Sequence, residues 1–256
     1  MTIFDNYAAR YERTREEEYS LSEYLTLCKK DRLTYASAPE RMLAAIGEPT
    51  LVDTRNDTRL SRIFANKVIK LYPAFREFYG TEEVIEQVVS YFRHAAQGLE
   101  ERKQILYLLG PVGGGKSSIA EKLKSLMEQV PFYCLKGSPV HESPLGLFNV
   151  EEDGRILEED FKIPRRYLNT IMSPWAVKRL GEYEGDLTRF KVVRVQPSVL
   201  KQTAITKTEP GDENNQDISS LVGKVDIRKL EKFSQDDPDA YSYSGGLSLS
   251  NQGLME

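Results

Sequence analysis

Apolar residues recur along this chain in two rhythms, and the first is helical. In SLSEYLTLCKK, Leu21, Tyr24, Leu25 and Cys28 fall on one face, while Ser20 and Glu23 make a capping box ahead of them. SAPERMLAAIG repeats the device with Ser37 and Glu40, sets Pro39 early in the helix and stops at Gly47. The pair resembles a short helix-turn-helix unit whose plain reading is packing or docking. LSRIFANKVIKLYPAF reads as a further helix that Pro73 ends or bends. In TEEVIEQVVSYFRHAAQG, Val84, Ile85, Val88, Val89 and Phe92 keep helical spacing between a Thr81 cap and a Gly98 stop.

The rhythm changes at Gln104. QILYLL, from Gln104 to Leu109, is apolar without polar alternation and predicts a parallel strand covered on both faces. A glycine loop follows at once, then a helix in SSIAEKLKSLMEQV with Ile119, Leu123, Leu126 and Met127 in its stripe, then a second strand in PFYCLK. From Ser138 to about Tyr243 the pattern is irregular, with a strand predicted at Lys191 to Val195 and a helix in SPWAVKRLGEY capped by Ser173. EPGDENNQDISS reads as a polar loop, and SGGLSLSNQGLME as the approach to a strand.

Composition narrows the class. The chain has 256 residues, of which 40% are hydrophobic and 29% charged, enough to bury a real core. Its 35 basic and 39 acidic side chains leave a net charge of -4, which gives no broad attraction to nucleic acid or an anionic membrane. The start MTIFDNYAARYERTREEEYS has no cationic leader with an apolar core, and no apolar run reaches membrane-spanning length, so a cytoplasmic protein is expected. Cys28 and Cys134 form no C-x-x-C pair and are expected as buried thiols; His94 and His141 are too scattered to chelate a metal.

The chemistry lies in GPVGGGKSS, Gly110 to Ser118, which contains G-x-x-x-x-G-K-[ST] between the predicted strand and helix. Gly110, Gly113, Gly114 and Gly115 let successive backbone N–H groups turn toward one anion, with Pro111 and Val112 filling the loop. The helix that follows offers its unpaired amides and positive dipole end to the same phosphates, with Ser118 in its first turn. Lys116 is the candidate catalytic cation for the β- and γ-phosphates, and the Ser117 hydroxyl the candidate ligand for Mg²⁺. ATP or GTP with Mg²⁺ is therefore the expected cofactor. Hydrolysis needs an acid at the end of another apolar strand. RILEED is too short for one, and the run before Asp226 is broken by Gly223 and Lys224.

Other polar residues have plainer readings. His141 and Glu142 fit a structured turn between Pro139 and Pro144; Arg165, Arg166, Lys178 and Arg179 read as solvated charge; Trp175 reads as packing.

The segments FYGTEEVIEQVVSYF, QILYLLGPVGGGKSSIAEKLK, SPWAVKRLGEYEGDLTRFKVVRVQPS and GGLSLSNQGLME together resemble the amino-terminal AAA-type part of the bacterial PrkA serine protein kinases. The resemblance implies an α/β P-loop NTPase of the AAA+ type, a three-layer core with a parallel sheet. A helical region over 1–75 would precede that core at 76–256, with a long irregular insertion about 138–243. It also implies ATP over GTP, a stress-associated role and a protein substrate phosphorylated on serine; a homo-oligomer is compatible with it, and the sequence does not give the number of subunits. The stretch from Phe78 to Ile85 would line the adenine pocket, and the N-x-G at Asn251 to Gly253 would lead toward Walker B acids lying past Glu256. On that reading the chain is a fragment of a longer machine, lacking sensor, arginine-finger and lid elements. The sequence has no H-R-D or D-F-G, and A-P-E at Ala38 to Glu40 reads as a helix start. The competing readings are a mechanical ATPase or ATP-dependent protease subunit and a passive nucleotide-binding module. A small-molecule P-loop kinase ranks below these, because those chains carry the loop near their amino terminus.

Overall fold

The structure is a computed structural model that describes residues 4–5, 11, 16–56, 58–168, 171–208 and 218–256. In chain order its strands and helices are β1 (Glu17–Ser20), α1 (Leu21–Lys30), α2 (Ala38–Ile46), β2 (Thr50–Asp53), α3 (Thr58–Phe64), β3 (Val68–Leu71), α4 (Glu82–Ala96) and α5 (Lys116–Met127). They continue with β4 (Phe132–Leu135), α6 (Gly154–Phe161), α7 (Pro174–Glu182), β5 (Lys191–Val195), β6 (Ile205–Thr206), α8 (Ser219–Val222), β7 (Lys224–Val225), β8 (Tyr241–Ser242), α9 (Gly246–Leu249) and β9 (Leu254–Met255). Two compact units result: residues 37–130 form one, and residues 1–36 with 131–256 form the other. The two capping-box helices α1 and α2 therefore belong to different units.

In the discontinuous unit, β5 is the middle strand of a three-stranded sheet, antiparallel to β1 on one side and β4 on the other. Alternation sends successive side chains to opposite faces. Phe132, Cys134, Val193 and Val195 pack with Ala204 on one face. Leu135 and Val192 join Tyr24, Leu145, Ile163 and Trp175 on the other, where α1 lies. The α1 capping box forms as predicted, with the Ser20 N–H donating to Glu23 at 2.7 Å and the Glu23 N–H to Ser20 Oγ at 3.3 Å. Ser173 caps α7 by accepting from the Ala176 N–H at 3.1 Å, and Trp175 is core. Both cysteines are buried free thiols, pushed up to about 12 by loss of hydration.

In the 37–130 unit, α2 packs against both α4 and α5. Met42 and Ile46 of α2, Val88, Val89 and Phe92 of α4, and Ile119, Leu123 and Met127 of α5 are all buried. Arg41 is 0% exposed, and Nη1 donates to the Val130 carbonyl at 3.3 Å just past α5. Burial lowers this guanidinium to about 10, so it keeps its charge at neutral pH.

Three expectations change. LSRIFANKVIKLYPAF is helical only through Phe64: Ala65 and Asn66 take left-handed φ of 49° and 59°, and β3 then pairs antiparallel with β2. Thr81 stands at the head of α4, but its side chain makes no capping bond. Gln104–Leu109 forms no strand; Ile105, Tyr107 and Leu109 are 91%, 78% and 82% exposed. Among the described residues the one parallel pairing is the short β6 with β9, so the expected parallel sheet is not formed by them. Backbone pairing needs a neighbour, and no described strand lies beside 104–109. Most of EPGDENNQDISS, 209–217, lies outside the described residues.

Candidate functional site

The glycine loop takes the shape its composition requires. Gly113 and Gly115 have φ of +80° and +78°, where a side chain is strained. Gly114 donates its N–H to the Pro111 carbonyl at 3.2 Å, and a Cβ at Gly114 would stand 3.1 Å from that oxygen. The loop delivers the chain into α5, whose first i to i+4 bond runs from the Ile119 N–H to the Gly115 carbonyl at 2.9 Å. At the head of this 12-residue helix, Ser117 and Ser118 are exposed, as are Gly110, Pro111, Val112, Gly113 and Gly114. Unpaired amides at such an end attract anions. Lys116 folds back over the loop, with Nζ donating to the Gly110 and Pro111 carbonyls at 2.6 Å each.

A cavity of about 350 Å³ opens in the same unit. Phe78, Tyr79, Glu82 and Ile85, all within the stretch that the family resemblance assigns to an adenine pocket, lie in its wall with Tyr72 and Phe75. Arg59, Lys70 and Arg76 add positive charge there, and Lys70 donates to Glu86 at 2.5 Å. Glu77, between two wall residues, forms an ion pair of 2.7 Å with Lys122 of α5. Lys122 lies six residues beyond Lys116, about 9 Å along a helix axis. The wall is thus tied to the helix that begins at the glycine loop. Its residues run from Thr50 to Ile85, and nothing in local sequence pattern announces that they meet.

Other candidates serve structure. Glu142 is buried, and its carboxylate accepts from both the N–H and the Oγ of Ser173, fixing the start of α7. His141 has φ of 49° and packs edge-on against Phe132, and burial holds its imidazole below the ordinary 6.5. Lys178 and Arg179 are bound to Asp237 and Asp239, and Arg165 pairs with Glu158. Asn251 donates from Nδ2 to the Val140 carbonyl at 2.6 Å, and Gln252 from Nε2 to those of His141 and Tyr133 at 2.6 and 3.2 Å. The N-x-G turn therefore grips the loop after β4, and β9 leaves it parallel to β6. No group of metal-binding side chains occurs among the described residues, and none of their helices is long and apolar enough to cross a membrane.

A family model described as the PrkA AAA domain matches residues 19–256. The chain is 65% identical over 260 residues to a protein named serine/threonine kinase YeaG in Escherichia coli strain K12, covering 100% of this chain and 40% of that protein. A protein of the same name in Escherichia coli O157:H7 matches equally. In Bacillus subtilis strain 168, a protein named ATP-dependent protease PrkA is 34% identical over 265 residues, covering 96% of this chain and 39% of its own length. The chain thus spans about two fifths of the curated relatives it matches. No solved structure matches it.

Proposed function

Because the chain belongs to the PrkA AAA domain family, we propose that it is the ATP-binding module of a bacterial serine protein kinase of that family. Membership implies the α/β P-loop NTPase class. The finer architecture, a parallel sheet with Gln104–Leu109 as the strand ahead of the loop, is part of the proposal.

The observation that carries the reading is the loop itself. Gly113 and Gly115 are left-handed, α5 starts at Lys116, and one ammonium and two exposed serines stand at its head. Residues Gly110 to Ser118 hold the triphosphate through backbone N–H groups and the helix end. Lys116 neutralises the β- and γ-phosphates, and the Ser117 hydroxyl ligates Mg²⁺. The cavity beside Phe78 and Glu82 takes the base, since its wall includes part of the stretch ahead of the loop and Glu77, between two wall residues, pairs with Lys122 of the helix that begins at Lys116. A cytoplasmic setting, a protein substrate phosphorylated on serine and assembly of several copies belong to the same proposal.

Calorimetric titration of the 256-residue chain tests it. Mg-ATP should bind, and Lys116→Ala should weaken binding by about 10- to 100-fold, the worth of one or two charge-assisted contacts. Unchanged affinity in that variant refutes the assignment of Lys116. The name of the Bacillus subtilis relative favours a second reading, an ATP-dependent protease or remodelling ATPase. In the longer protein, ATP-driven cleavage of a polypeptide without phosphate transfer to serine would decide for it.

A further inference from the structure

Residues 224–242 form a small arm of the discontinuous unit. β7 and β8 pair at its base, Lys224 with Ser242 and Val225 with Tyr241, and the helical turns Ile227–Glu231 and Pro238–Ala240 lie between them. The Asp226 N–H donates to the Ala240 carbonyl at 2.9 Å, and Lys229 Nζ to that of Tyr241 at 3.3 Å, so the arm is bonded within itself. Its neck needs glycine on both sides. Gly223 has φ of +91°, and a Cβ there would stand 2.2 Å from the Ser242 carbonyl; one at Gly245 would stand 2.4 Å from that of Leu221. Apolar burial does little to hold the arm down: Ala240 is its one buried side chain, and Ile227 is 80% exposed. Segments with so few apolar contacts lie at the low-stability end of a fold.

What fastens the arm is charge. Among the described residues, every hydrogen bond and ion pair that it makes to the chain before Val222 ends on two neighbouring cations of α7. Lys178 Nζ donates to Asp237 at 2.7 and 2.9 Å and to Asp239 at 2.6 Å, and it lies 5.0 Å from the centre of the Phe233 ring. Arg179 Nη2 donates to both oxygens of Asp239, at 3.1 and 3.2 Å. An isolated surface pair adds little, whereas a network of several charges adds more, and the ring face attracts the same ammonium. We propose that residues 224–242 are a charge-latched arm that swings off α7 as one body when the latch is screened. Asp237 and Asp239 keep both cations occupied in the closed form, and opening turns Lys178 and Arg179 toward solvent. The device stands apart from the glycine loop and does not depend on the nucleotide reading.

Resonance energy transfer on the 256-residue chain tests this. Trp175 of α7 is the one tryptophan and both native thiols are buried, so a dansyl group on Ser234→Cys is a selective acceptor on the exposed arm. Raising NaCl from about 0.1 to about 1 M shortens the screening length from about 10 to about 3 Å. Transfer from Trp175 should then fall by at least about a third, with far-ultraviolet circular dichroism unchanged. Lys178→Met, which keeps the stem without the charge, should give the low transfer at both salt concentrations, and Lys178→Arg should restore the salt response. Transfer that ignores salt overturns the proposal, as does a salt response that survives Lys178→Met or one accompanied by loss of helical signal. If Lys178→Met fails to fold, the salt series with the latch intact stands alone.

Discussion

His141 illustrates how a residue that suggests catalysis can serve packing instead. Its ring lies against Phe132, its carbonyl accepts from Gln252, and its Nδ1 is buried without a partner. Burial disfavours the imidazolium, and the nearby charge of Glu16 opposes this only in part. With the folded value below 6.5, the unfolded chain takes up a proton first as pH falls. Stability from this site is therefore complete above about pH 6.5 and declines below it, by at most about 1.4 kcal/mol per pH unit, until the folded form also protonates. Urea unfolding at pH 7.5 and 5.5 should show wild type losing more than His141→Gln; equal losses would exclude the effect.

At the scale of elements, close backbone approach fixes the pairing of β9 with β6. A Cβ at Gly253 would lie 1.6 Å from the Ala204 carbonyl, and the Leu254 N–H donates to that same oxygen at 2.8 Å. Gly253→Ala must push the strands apart, with an expected loss of about 3 kcal/mol in chemical unfolding; a loss under about 0.5 kcal/mol would mean the turn shifts freely. Elements with local causes were legible in the sequence: the capping boxes of α1 and α2, the Ser173 cap of α7 and the alternating β5 each depend on residues within a few positions. β3 was not, because Leu60, Phe64, Val68 and Ile69 continue a helical spacing and only the left-handed Ala65–Asn66 turn interrupts it. For Gln104–Leu109 the reverse holds: its composition suits a strand, yet strands exist only through neighbours, which often lie far along the chain.

For the molecule as a whole, the glycine loop, its lysine and its serines were readable from one short motif, whereas the cavity appeared only when distant segments met. All of these residues lie within 37–130. Mg-ATP at about 100 times its Kd should therefore stabilise that unit by about 2.7 kcal/mol. Hydrogen exchange should show the protection there, strongest from Gly110 through Met127; protection confined to 131–256 would contradict the placement. The same division bears on assembly. β1 and β4 flank β5 but are separated along the chain by the whole of the 37–130 unit. Arg41, one turn past Ser37, holds Val130, so the two ends of that stretch are fastened to each other. Once folded, the intervening stretch works like a closed bracket, and the entropy lost in joining β1 to the sheet is that of a short loop instead of a long one. Folding should therefore run from the inserted module outward, and the sheet should tolerate changes of length inside the bracket as long as its clasp is kept.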